Sequence, residues 1–420
     1  MVLLAIKKLL IKPITYIFKV LKEDGMKKLL AITTMMLVIF GFAFASGNQD
    51  GVQLKIWESE GSEKDFMLWA GKEFEKTHPG VKVVYEPVGS VDARAKIELD
   101  GPAGVGADVF VAQHDHLGAL VNGGHVLENT DPNFNATNFV DAALIGSQYN
   151  GVKYGYPLSV ETYALFYNKD IIKTPPKTWD EVVEFSKTWN NKSQNKYAIA
   201  WAVADAYFNY IFMSGFGAPL FGPNGDDRAQ HNINSKASIE GLNYYQYLRK
   251  TILDIPSADI TGDFVDSSFT EGTVPMIITG PWKFADFTKA NINFGVAPIP
   301  AFPGRSTPPT SFSGVRLAFV SAYTDHPELA EEFARFLTSK DVLQKRYEMT
   351  QQIPPRTDIT ISDPLSAGIL AQAAYATPMP TIPQMGTYWS AMGAAFGSIW
   401  DGANVTEQLN DAAAAMEASK

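Results

Sequence analysis

An export signal on a chain without a single cysteine is the feature that most narrows what this sequence can become. Residues 26–45, MKKLLAITTMMLVIFGFAFA, join two lysines to an uninterrupted apolar run and end in Ala43-Phe44-Ala45 before Ser46. That is a charged start, a hydrophobic stretch and a small-x-small cleavage site, the layout of a cleaved secretory signal and not of a lasting membrane span. Residues 1–25 carry five lysines among apolar residues, too charged to span a bilayer, so translation is expected to start at Met26. With no thiol, no disulfide staples the exported fold and no acyl chain is attached at the cleavage point. The mature chain of roughly 375 residues must bury a core of its own, and that length favours two domains.

Removing residues 1–45 takes seven of the 35 Lys and Arg and two of the 45 Asp and Glu, leaving a net charge of −15. Such a balance argues against nucleic acid and anionic membranes as partners. An exported, unlipidated chain of this kind is expected in a periplasm.

Periodicity along the chain alternates between strand and helix. Residues 52–57 (VQLKIW) alternate as a strand, residues 65–76 repeat Phe66, Ala70 and Phe74 at helical spacing, and residues 81–86 form a second strand, which suggests a parallel strand–helix–strand unit. Residues 108–112 (DVFVA) are a short apolar strand opening into Gln113-His114-Asp115-His116. Thr178 with Glu181 predicts a capped helix carrying Trp179, Val182, Val183 and Trp189 on one side. Residues 325–337 predict another helix with Pro327 near its start, residues 274–279 and 293–298 read as strands, residues 300–314 as a long loop, and residues 407–418 as a final helix. This alternation means α/β, with two lobes expected.

No catalytic signature is present: there is no Gly-x-Ser-x-Gly, no Cys nucleophile and no metalloprotease helix motif. His114 and His116 alternate at a strand end with nothing to complete a metal site, so neither metal nor cofactor is expected. Tyr244-Tyr245 sits in a helical pattern where adjacent side chains diverge, a core residue beside a surface one. Glu161, in YPLSVETYALF, is a lone acid in an apolar, β-prone run. Burying it requires a partner, either an Arg or a backbone amide inside the fold or a ligand hydroxyl. Acids recur beside aromatics in loops after strands: Asp115 after its strand, Glu161 amid Tyr156, Tyr163 and Tyr167, Asp205 beside Tyr207, Phe208 and Tyr210, with Trp282 following Thr279-Gly280-Pro281 and Tyr388-Trp389 following Ile382-Pro383-Gln384-Met385. Carboxylates that accept hydroxyl protons and flat rings that cover the apolar face of a pyranose are what a sugar site needs.

These residues resemble the periplasmic maltose/maltodextrin-binding proteins, solute-binding proteins of family 1 that serve ABC transporters. The most specific stretches are YPLSVETYALFYNKDII, VPMIITGPWKF, NFGVAPIPAF and MPTIPQMGTYW, and the resemblance runs from about Val52 to the end. It implies hydroxyl acceptors at Asp115, Glu161 and Asp205, packing or stacking rings at Tyr207, Trp282 and Trp389, and further ligand contacts at His116 and Asp92. It implies an α/β fold of two lobes, one of residues 50–159 and 315–359, the other of residues 163–312 and 364–420, with hinges near residues 158–163, 312–316 and 358–364. Closure of the lobes would present the loaded protein to an inner-membrane permease, and to a chemoreceptor where one reads it; a monomer is expected. The periphery departs from the family: Ala112 stands where a tryptophan stacks, His116 and Gly393 replace arginines, Ser390 replaces a tyrosine, and no lysine follows the first strand near Gly61-Ser62. The sugar thus stays open between maltose or maltodextrin and another, such as trehalose or sucrose. A glycoside hydrolase using paired acids is the enzymatic alternative, and a structural surface protein would not need the aromatics.

Overall fold

Among the described residues nine strands form the two larger sheets: β1 (Val52–Glu58), β2 (Val81–Pro87), β3 (Val109–Gln113), β4 (Tyr156–Thr162), β5 (Ala164–Asn168), β6 (Met276–Thr279), β7 (Phe294–Ala297), β8 (Phe312–Val320) and β9 (Thr377–Pro378). The computed structural model describes residues 51–419 apart from 133, 135–137, 223, 224, 226 and 228; the signal segment read at residues 26–45 lies outside them. Residues Gln53–Lys420 pack as one unit, and among the described residues no helix is long and apolar enough to cross a membrane.

The first sheet runs in the order β9-β8-β3-β1-β2, and β4 also pairs with β8. β1 is parallel to β3, whereas β8 is antiparallel to both β3 and β4. The helix Ser62–Thr77 connects the neighbouring strands β1 and β2. All five residues of β3 are buried, because both faces of this sheet are covered. Alternate residues feed two cores: Ile56, Val109 and Val111 join Phe66, Phe74 and Phe333 on one face, while Trp57, Phe110 and Ala112 join Ile97 and Phe319 on the other.

The second sheet, β6-β5-β7, is antiparallel throughout, and its core gathers Trp179, Trp201, Tyr245, Phe212 and Trp400. Only Tyr163 separates β4 from β5, so the chain passes from one sheet to the other across a single buried residue.

Most helices match their signals. Trp179–Trp189 carries the full capping box between Thr178 and Glu181, Pro327–Leu337 opens on its proline, and Val405–Ala418 is capped by Asn404. Tyr245 is buried and Tyr244 half-buried, as their helical spacing requires. Two readings need correction. The long loop ends before Phe312, where the nine-residue strand β8 begins; Ser313, Gly314 and Arg316 interrupt its apolar run, and burial on both faces removes the alternation that marks a strand. Tyr388 and Trp389 lie not in a loop but early in the helix Met385–Trp400.

Candidate functional site

A cleft of about 1160 Å³ opens at the ends of β3, β4 and β8 and is walled on its far side by residues of the second sheet's core. Three further cavities among the described residues, including the 410 Å³ hollow beside Pro175 and Pro176, are smaller and contain none of the eight residues expected at a site. Of the eight residues expected at a site, Asp115, His116, Glu161, Asp205, Tyr207, Trp282 and Trp389 line this cleft. Asp92 does not. It is exposed at the start of the helix Ala93–Asp100, while its neighbours Ser90, Val91 and Arg94 reach the wall.

The partner of Glu161 is in the protein. Its carboxylate accepts from Arg316 Nε at 3.2 Å and from Gln113 Nε2 at 2.9 Å, so its burial does not wait on a ligand hydroxyl. Arg316 also donates from Nη1 to Glu63 at 2.9 Å, and Gln352 reaches the same carboxylate oxygen at 2.6 Å. Behind them Arg346 pairs with Glu58 at 3.2 Å. Burial opposes the Arg316 cation, but Glu161, Glu63 and Glu58 outweigh it and hold the guanidinium above its ordinary value. Burial likewise opposes the Glu63 anion, and Arg316 and Arg346 outweigh it, keeping that carboxyl below the usual range. Cross-strand register builds this cluster: Gln113 faces Arg316, and Glu161 faces Gly314.

Asp115 sits in the one-turn helix His114–His116 that follows β3. It is 5% exposed, and its carboxylate accepts the Trp389 indole N–H at 2.9 Å, a bond that ties the two walls of the cleft. His116 is nearby, its Nε2 3.9 Å from Asp115, and its Nδ1 has no partner. The turn replaces the strand-end alternation expected of the two histidines, and His114 is fully buried. The Val315 N–H donates to its Nδ1 at 3.1 Å, so Nε2 carries the proton and donates to the Met379 carbonyl at 2.9 Å. Both ring nitrogens are therefore engaged by the backbone.

Burial depresses the His114 pKa below 6.5, ahead of the opposing pull of Asp115. Below 6.5 the unfolded chain takes up a proton that the folded chain refuses, so this contribution to stability is complete above 6.5 and falls as the pH drops. Urea unfolding of His114→Asn should lose less stability than the parent between about pH 7 and about pH 5.5; an equal loss would refute the assignment.

The opposite wall is aromatic. Tyr207 meets Tyr163 edge-on at 4.8 Å, and Trp282 packs 6.4 Å from Tyr207 and 6.3 Å from Phe208. Burial, then the carboxylates of Glu161, Asp205 and Asp115, push the Tyr207 phenol well above its ordinary value, and its hydroxyl has no partner. Asp205 caps the helix Ala206–Asn209 through the Tyr207 N–H at 2.8 Å. Its surface is open to the cleft, yet the surrounding walls strip enough water from it that desolvation raises its pKa. Tyr156 points elsewhere and donates to Glu331.

Gln113, Arg316 and Phe208 also line the cleft. The sequence marks Phe208 only as a neighbour of Asp205 and assigns the other two no place at a site. Gln113 was legible as the polar end of an apolar strand, and Arg316 as a lone charge in FSGVRLAFV.

Residues 58–344 match the family described as bacterial extracellular solute-binding protein. The maltodextrin-binding protein MdxE of Bacillus subtilis is 31% identical over 388 residues, 87% of this chain and 90% of that protein. The galactooligosaccharide-binding protein of the same organism is 30% identical over 415 residues, 94% of this chain and 96% of that protein. A crystal structure of a cyclo/maltodextrin-binding protein complexed with maltotetraose superposes with a TM-score of 0.74 at 32% identity, covering 87% of this chain and 97% of that one.

Proposed function

The chain belongs to the bacterial extracellular solute-binding protein family, and from that premise we propose that it is the malto-oligosaccharide-binding subunit of an ABC importer. It is a binding protein and not an enzyme. The observation that carries the reading is the division of the cleft, with acceptors on one wall (Asp115 and the Glu161 cluster) and rings on the other (Tyr207, Trp282, Trp389). A pyranose offers hydroxyls around its edge and an apolar face, and this arrangement meets both.

On this reading the lobes are residues 50–159 with 315–359 and residues 163–312 with 364–420. They close about the crossings near residues 158–163, 312–316 and 358–364, hinge closure around the ligand being the behaviour known for periplasmic binding proteins as a class. The closed, monomeric protein delivers its sugar to an inner-membrane permease from an unlipidated periplasmic location, and a chemoreceptor is a further reader of the closed form. The galactooligosaccharide-binding relative, nearly as similar and matched over more of both chains, supports a second reading with a galacto-oligosaccharide as ligand. Titration calorimetry with maltose, maltotriose, maltotetraose and a galacto-oligosaccharide separates the two. Tight binding of the malto-series is expected, binding of the galacto-oligosaccharide alone would favour the second reading, and no binding by any of them would sink both.

On this reading one end of the cleft takes the outer sugar units. Beyond Trp389 the helix Met385–Trp400 turns Ser390 and Gly393 toward it, with Ala204 and Gly262 also lining the cavity. A Cβ on Gly393 would stand 3.3 Å from the Ala204 carbonyl, a tight contact that requires a shift of a few tenths of an ångström. In a folded Gly393→Trp variant the ring should fill this end, weakening maltotetraose by about tenfold and leaving maltose nearly unchanged. Equal weakening of the two sugars by calorimetry would place the outer units elsewhere.

A further inference from the structure

We infer that Gln113 is a ligand-contacting residue whose side-chain carbonyl accepts a hydroxyl proton from the bound sugar and so sets which hydroxyl the cleft requires. This rests on the sugar-binding reading above. Gln113 ends β3 two residues before Asp115, lines the cleft and is only 7% exposed. The orientation of its amide follows from chemistry. An ionised carboxylate can only accept, so the NH2 group must face Glu161, to which it donates at 2.9 Å, with Ser90 Oγ at 3.4 Å. Glu161 is in turn held by Arg316, which keeps the amide from turning over.

The carbonyl oxygen is thereby directed away from the Glu161 carboxylate. Oε1 is buried and has no donor in the protein. β8 passes beside it at Gly314, where a Cβ would stand 3.4 Å from Oε1, 3.3 Å from Glu161 Oε1 and 3.1 Å from Glu161 Cγ, so any side chain at that position would crowd both groups. A buried acceptor without a donor is destabilising, and a hydroxyl supplied by the ligand removes that penalty. A site arranged in this way discriminates strongly against an analogue that lacks the hydroxyl, because the acceptor then stays unpaired. Glu161 and Arg316 act through Gln113 as positioning residues.

The test is calorimetry of the full-length mature protein with maltotriose and its singly deoxygenated analogues, on the parent and on Gln113→Leu. The parent should bind one analogue at least about tenfold more weakly than maltotriose. Gln113→Leu should bind maltotriose about tenfold more weakly than the parent does and no longer distinguish it from that analogue. The same loss for every analogue would overturn the inference and leave Gln113 a packing residue, as would no loss at all. Should the leucine variant not fold, Gln113→Met, which follows the glutamine shape more closely, answers the same question. A parent that binds no maltotriose removes the sugar reading itself, whereas binding with a uniform loss removes only this role of Gln113.

Discussion

Arg316→Met is expected to lower the unfolding free energy by about 3–5 kcal/mol, because it strands two buried carboxylates at once. Glu161 and Glu63 both rely on this guanidinium, at 3.2 Å and 2.9 Å, and the side chains on both sides of each pair are at most 8% exposed. Methionine fills a similar volume without charge, so the loss comes from the anions left behind and not from a cavity. Adding Glu161→Gln to Arg316→Met should recover part of it, since one of the two anions is then neutral. Urea denaturation of the ligand-free protein measures both variants, and an Arg316→Met midpoint close to that of the parent would show that water or Arg346 compensates. Sugar affinity should fall as well, because Gln113 and Glu161 lose the cation that fixes them.

Trp389→Ala should produce the largest loss of affinity of any single substitution in the cleft. The ring supplies a broad face at the wall, and its N–H bonds to Asp115 across the cleft at 2.9 Å. Truncation removes the face and frees an acid whose orientation the indole had set. Buried aromatic anchors of this kind typically cost about 2–4 kcal/mol when cut to alanine, roughly 30- to 1000-fold in Kd. Trp389→Phe keeps a ring and loses only the donor, so it should lie between the parent and alanine. Calorimetry with maltotetraose decides: a change below about threefold for alanine would mean that Trp282 and Tyr207 carry the sugar without it.

The alternating elements and most capping signals were legible because each depends on neighbours within a few residues. Thr178 and Glu181, for instance, are three positions apart and form the box their spacing implies. β8 was not legible, since a strand covered on both faces has no alternation to betray it, and the glycine and arginine in its middle imitate a loop. Asp115, Glu161, Asp205 and the aromatics Tyr207, Trp282 and Trp389, all in the cleft lining, stand out in the sequence through their local pairing of acid with ring, but the bonding of Glu161 does not. Its partner lies 155 positions away. One signal was available: Glu161 and Arg316 are each a single charge in an apolar, β-prone run, and two such charges of opposite sign are natural partners. Asp92 was misplaced for the opposite reason, because a helix start beside the cleft sends only some of its side chains inward.

The position of β8 in the chain has a consequence for how the protein is made. The first sheet holds β3, β4 and β8 side by side, yet the whole second sheet is translated between β4 and β8. Until the ribosome has passed Val320, β3 and β4 lack the neighbour that joins them, and closing so long a loop is slow. β3 and β4 consequently stay unjoined throughout the synthesis of the second sheet, so the first sheet cannot be completed until late in translation.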